Sequence, residues 1–245
     1  MLKFCFPQKL TDGIIKSRKG QFVIFTELNG EVCRCHCPTT GRIGNIDIGG
    51  RPCLLSKTKN TSRKTQYTVE AISLNNPEDK NKKWIGINQN AINRYVEYYL
   101  INNSFKDMID TSSHEVLREQ TIGMSKLDFL VGNTYIEVKM PLQHLQVDIP
   151  SYVKTRKSTP FNSTERFIKH VSELGKSLGE NRRAILLTCF IYDNPGFKVV
   201  ERSKNYDKIN TIVKQNVSKG VELWQANFEI TAEYIVLKGY SRFCV

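Results

Sequence analysis

Between residues 21 and 74, apolar and polar positions alternate in short runs separated by turn-formers. The runs are "QFVIFTEL", "EVCRCHC", "RPCLLS" and "TQYTVEAISL". Their period of two puts one set of side chains inward and the other outward, as in half-buried strands. Asn29-Gly30 joins the first two runs and marks a hairpin, because that pair accepts the left-handed backbone of a tight turn. "PTTG" marks the next turn. Several short strands with one basic loop predict a small, partly open barrel of the OB type. The charged, turn-rich segment "NNPEDKNKKW" (75–84) reads as a linker.

From Ile85 the period changes. In "NQNAINRYVEYYLIN", Ile92, Val96, Tyr99 and Leu100 recur at helical spacing, with Asn88 or Asn90 as a candidate cap. A strand around "SHEVLREQT" precedes "LDFLVGNTYIEVK" (127–139), which alternates, breaks at Gly132-Asn133 and alternates again. "STERFIKHVSELGKSLGE" carries the stripe Phe167, Ile168, Val171, Leu174 and Leu178, with Ser163 or Thr164 as cap. "RRAILLTCFIY" is apolar throughout a strand's length, the mark of a strand covered on both faces. "YDKINTIVKQNVSKG" reads as a helix stopped by Gly220, and "VELWQANFEI" as the last strand. The predicted organisation is an OB-like domain over 1–84 and a mixed sheet with packed helices over 85–245, an α+β or α/β chain.

The second hairpin carries chemistry. A two-residue turn at Gly132-Asn133 sets Asp128 opposite Glu137 and Lys126 opposite Lys139, all four on one face. Leu127, Phe129, Ile136 and Val138 then share the core face. Two carboxylates about 5 Å apart repel by about 3 kcal/mol at an effective dielectric of about 20. A bridging divalent cation removes that repulsion, and Mg2+ (or Mn2+) suits one or two carboxylates plus water and phosphate oxygens. Asp128 and Glu137 are therefore candidate metal ligands, with Lys139 beside them to orient water or steady charge on phosphorus. Glu97, on the first predicted helix, is a third candidate ligand. The alternative reading is a solvated hairpin with surface salt bridges, and the hairpin alone leaves both open.

Composition narrows the class. The 245 residues are 40% hydrophobic, enough for a core, and no apolar run approaches the length of a membrane span. The first twenty residues lack the apolar stretch of a secretory signal, so a soluble cytoplasmic protein is expected. Seven cysteines, an odd number, point to free thiols. Cys33, Cys35 and Cys37, flanking His36, share one strand face and read as small buried hydrophobes rather than zinc ligands. The net charge of +12 attracts polyanions. Basic residues cluster in four turn-like segments: Lys16, Arg18 and Lys19; Lys57, Lys59, Arg63 and Lys64; Lys80, Lys82 and Lys83; Lys154, Arg156 and Lys157. Together they favour a phosphate backbone as partner. Tyr67 and Trp84, the rings nearest the basic loop, are candidates for base stacking or for core packing.

An acidic residue on one strand and Glu-x-Lys on the next resembles the core of the PD-(D/E)xK nuclease superfamily. The whole chain is similar to the sugar fermentation stimulation protein family. The family's H-C-P-N-T-G appears as "HCPTTG", its R-K-T-x-Y-T-x-E as "RKTQYTVE", and its G-V-N-T…N-R as "GINQNAINR". Its S-R-x-D-F is "SKLDF", with Lys126 for Arg; Y-x-E-V-K is "YIEVK"; T-E-R-G-x-K-H is "TERFIKH". The resemblance implies an OB-like domain joined to a nuclease-like domain, DNA or RNA as partner, and Mg2+-dependent nuclease activity carried by Asp128, Glu137 and Lys139. It leaves a homodimer open and implies no membrane. Arg166, Lys169 and His170, at the start of a helix, are candidate phosphate contacts with Lys126. Three departures stand out. The stretch from Lys139 to Thr164 is longer than usual, Phe161 sits where the family has an Asp, and Phe167 replaces a Gly. The lost acid favours a second reading, a non-enzymatic DNA-binding regulator of sugar-utilisation genes. Oligosaccharide binding by the barrel is disfavoured by its basic loops.

Overall fold

The computed structural model describes residues 1–123, 125–156, 165–179, 182–196 and 205–244. The predicted caps Ser163 and Thr164, the departure at Phe161 and the basic residue Lys157 lie outside them. The elements run β1 (Phe4–Cys5), β2 (Thr11–Lys19), β3 (Val23–Leu28), β4 (Glu31–His36), β5 (Pro52–Lys57), β6 (Tyr67–Ser73) and β7 (Trp84–Gly86). They continue with α1 (Ile92–Ile101), β8 (Val116–Ile122), β9 (Ser125–Val131), β10 (Thr134–Lys139), α2 (Glu165–Lys176), β11 (Arg183–Phe190), α3 (Tyr206–Ser218), β12 (Glu222–Ile230) and β13 (Tyr234–Arg242).

The N-terminal strands form the OB-like barrel. Their order is β4-β3-β2-β5-β6-β7, and a short parallel pairing of β4 with β6 (Cys35 to Tyr67, His36 to Thr68) closes the ring. Asn29 and Gly30 both take positive φ, 50° and 85°, as the Asn-Gly turn requires. Lys16, Arg18 and Lys19 lie on β2, where a loop was expected. Outward polar residues and a register shift between Ile15 and Ser17 hide the strand's alternation. Two of those charges are spent locally. Lys16 pairs with Glu27 at 2.5 Å, and the Arg18 guanidinium donates to the carbonyls of Thr39, Gly41 and Gln21. Cys35, Cys37 and Cys53 are buried, and burial pushes their thiols up, Cys53 to about 12. They pack as apolar side chains.

The second sheet has the order β1-β13-β12-β11-β10-β9-β8 among the described residues. β10, β11 and β12 run parallel, linked through α2 and α3, and the flanking pairs are antiparallel. Two expectations need correction. β12 is followed by a further strand, β13, whose "YIVLKGYSR" is apolar over its first four residues and shows no period of two. The boundary at 84/85 falls inside β7, and β1, from the far N-terminus, completes the second sheet by pairing with β13. The proposed caps of α1 also fail: the helix begins at Ile92 with Ala91 in the cap position and no side-chain cap, while Asn88 donates its amide to Glu70.

One core runs through both halves, from Ile24, Leu54 and Ile72 in the barrel through Ile87 and Tyr99 to Ile136, Ile185 and Phe228 in the sheet. α1 covers this face. On the other, Val171 and Leu174 of α2 pack with Leu127, Tyr135, Leu186 and Leu223. β11 is thus covered twice, as its continuous apolar run predicts. No helix among the described residues is long and apolar enough to cross a membrane.

The halves pack closely at Gly86. Its amide donates to the Ile191 carbonyl at 2.8 Å, and a Cβ there would run into Ile191 Cγ2 and Cβ. Gly86→Ala is expected to destabilise the fold by about 1–3 kcal/mol through overpacking. Gly41→Ala, where a methyl meets nothing within 4 Å, should change little. Urea unfolding of the two variants checks this.

Candidate active site

The site is built where β9 leaves β10. Gly132, at φ 55°, makes the turn, and Thr134, Tyr135 and Ile136 face Val131, Leu130 and Phe129. This is the register expected from a two-residue loop. The ladder then stops. Opposite Asp128, on the other side of β9, Glu119 takes φ 52° and the β8 pairing skips one position, from Arg118–Phe129 to Gln120–Leu127. Asp128 uses the gap. Its Oδ2 accepts the Val138 amide at 2.8 Å, and its Oδ1 accepts Asn93 Nδ2, from α1, at 2.7 Å.

That break changes two residues. Leu127, expected beside Phe129 in one core, instead packs with α2 on the opposite face. Lys126, expected across from Lys139, is paired with Thr121 of β8, well exposed, and 4.0 Å from Glu119. It does not join the acidic pair.

Glu137 is 1% exposed in the middle of β10. Its Oε1 receives two donors: Lys139 Nζ from the same strand and His170 Nδ1 from α2. Lys139 Nζ and His170 Nδ1 are themselves 3.5 Å apart. The other oxygen, Oε2, is buried without a partner among the described residues. Burial pushes the Glu137 carboxyl up, but the His170 hydrogen bond and the Lys139 charge outweigh it, and the net shift is downward. Asp128 goes the other way. Burial and then the Glu137 charge push it up, and Val138, Lys139 and Asn93 oppose this without cancelling it. One carboxylate is held charged, and its neighbour is made costly to ionise.

Other candidates fall outside this cluster. Glu97, one turn along α1 from Asn93, pairs with Arg118 at 3.4 Å. Among the described residues no three His, Cys, Asp or Glu side chains are gathered to hold a metal ion. Arg166 and Lys169 are exposed on α2. Lys57, Lys59, Arg63 and Lys64 are exposed at the end of β5 and along the loop to β6. Half-buried His36 is lowered by burial and by the Arg63 charge. Tyr67 and Trp84 are half-buried and pack against the core. Asn93 was not singled out as a functional residue from the sequence, and His170 was assigned only to phosphate. Both occupy positions in the family blocks, "GINQNAINR" and "TERFIKH".

Residues 17–87 match the model of the SfsA N-terminal OB domain, and residues 90–234 that of the sugar fermentation stimulation protein RE domain. The chain belongs to the sugar fermentation stimulation protein family. A homolog from Microcystis aeruginosa is 30% identical over 98% of this chain and 97% of its own length. Another, from Synechococcus sp. strain JA-2-3B'a(2-13), is 33% identical over 98% and 95%. The solved structure of Pyrococcus furiosus SfsA in complex with Ca2+ is 20% identical, covers 98% of each chain and superposes with a TM-score of 0.74. This family member shares that fold.

The raised Asp128 gives a signed prediction. Ionising a carboxyl whose value is raised by folding costs stability in full above the folded value, and not at all below the ordinary 3.8. Asp128→Asn removes that cost, and Asn93 can turn its amide to accept from the new one. The variant should melt higher than wild type at pH 7, with the gain shrinking as the pH falls and gone below about pH 4. Thermal melts across pH check this.

Proposed function

We propose that this protein binds nucleic acid through its basic barrel and hydrolyses phosphodiester bonds at Asp128, Glu137 and Lys139 with a divalent cation. The observation that carries the reading is Glu137 Oε2, an acceptor buried without a partner beside a second carboxylate. Burying such an atom costs free energy unless a donor or cation satisfies it. The donor set suits Mg2+ or Mn2+, which take one or two carboxylates and fill their remaining positions with water and phosphate oxygens. The Ca2+ in the Pyrococcus furiosus relative supports a divalent ion in this family. When bound, such an ion would polarise the scissile phosphate and make water a better nucleophile.

The chain's own residues do the rest. Asp128 and Glu137 hold negative charge at the splayed end of the hairpin. Lys139, 27% exposed, can reach solvent and neutralise charge building on the phosphoryl oxygens. Lys57, Lys59, Arg63 and Lys64 offer four cations to the phosphate backbone. The missing acid at Phe161 favours the second reading, a DNA-binding regulator without cleavage.

An EDTA-controlled cleavage assay separates the two. With Mg2+ or Mn2+, wild type should cut DNA or RNA and EDTA should stop it. Glu137→Ala and Lys139→Ala should each lose cleavage by at least about 100-fold while still binding. Equal cutting by wild type and variants would place the activity elsewhere; no cutting with intact binding would favour the regulator. Binding itself should weaken steeply with salt. Replacing Lys57, Lys59, Arg63 and Lys64 with Ala should flatten the log–log salt slope by up to about 0.9 for each phosphate no longer neutralised, as fluorescence anisotropy titrations would measure.

A further inference from the structure

Beyond the ligands themselves, the structure assigns His170 as the positioning residue that fixes the Glu137 carboxylate and leaves Oε2 free for a divalent cation. This rests on the metal-dependent reading above.

Glu137 has three rotatable side-chain bonds, and an unanchored carboxylate could turn either oxygen toward a cation or toward Lys139. Two donors converge on Oε1 and none on Oε2. They differ in kind. Lys139 lies two residues along the same strand on a long flexible stem, so it travels with Glu137. His170 comes from α2, 33 residues away, and is only 8% exposed. A carboxylate that ligates a cation can only accept, so the contact requires the proton on Nδ1 of His170. The helix that carries it is docked, because the adjacent Val171 and the next-turn Leu174 pack against Leu127, Tyr135 and Leu186. A rigid ring on a docked helix is therefore the element that selects which oxygen points outward. Asp128 receives the matching treatment from α1 through Asn93. A partner that orients a ligand in this way typically changes metal affinity about 10–100-fold when removed.

The nitrogen involved makes the idea testable by isosteres. Asn at 170 can set its amide nitrogen near the position of Nδ1, whereas Gln sets it near that of Nε2. Calorimetric titration of Mn2+ into the full chain should show saturable binding for wild type. His170→Ala and His170→Gln should bind about 10–100-fold more weakly, and His170→Asn should stay within a few fold of wild type. A merely structural histidine would alter melting temperature without separating Asn from Gln. Wild-type affinity in His170→Ala, or equal affinity in the Asn and Gln variants, would overturn the assignment. Should His170→Ala fail to fold, the Asn–Gln comparison decides alone. Glu137→Gln is the control for the underlying reading. If wild type shows no Mn2+ binding, or Glu137→Gln binds as tightly as wild type, the metal site proposed above is what fails.

Discussion

A carboxylate buried in a sheet has to be satisfied, and Glu137 is only half satisfied. Taking a charge out of water is costly unless hydrogen bonds and an opposite charge offset it. His170 and Lys139 supply that offset at one oxygen and leave the other bare. Much of the surrounding architecture serves this arrangement. β9 breaks from β10 so that Asp128 can take the Val138 amide in place of a ladder bond. α1 and α2, on opposite faces of the sheet, each deliver one donor to one carboxylate. The hairpin is where α1 and α2 both make polar contact with the carboxylates.

The barrel is tied to the same point. Asn88 donates to Glu70 inside the barrel half, Gln89 donates to the Met140 carbonyl just beyond Lys139, and Asn93 donates to Asp128. These three side chains lie within six residues of sequence. A second tie runs through the loop after β4. Gly44 donates to Leu142, Ile46 bridges to Thr155, and Arg156 pairs with Asp47 at 3.2 Å. The stretch after Lys139 is thus engaged with the barrel.

The sequence revealed most where one residue type meets one backbone demand. Asn29-Gly30 and Gly132-Asn133 announce their turns, and period-two alternation carries the register as far as Phe129 and Ile136. The unbroken apolar run of β11 announces cover on both faces. What stayed hidden depends on contacts between segments. The break at Asp128 arises from an amide on a neighbouring strand, and it moves Leu127 and Lys126 away from where alternation puts them. β2 carries Lys16, Arg18 and Lys19 on outward positions across a register shift, so it looks like a loop. Glu97 has helical spacing for the site, yet Arg118 on β8 claims it. His170 could be read as surface because only the docked α2 turns it toward Glu137.

The left-handed backbone of Glu119 also interrupts the outer strand of the second sheet. Among the described residues β8 is the long outer strand of the seven-stranded sheet, and an unpaired edge offers its amides to any passing strand. Here that edge carries a left-handed residue in its middle and exposes Leu117 beside the charged Arg118 and Glu119. The opposite edge, β1, is two residues long, and the barrel ring is closed. The irregularity beside Asp128 thus falls on the one long edge of the sheet, where a flat, regular strand would be the readiest template for edge-to-edge pairing.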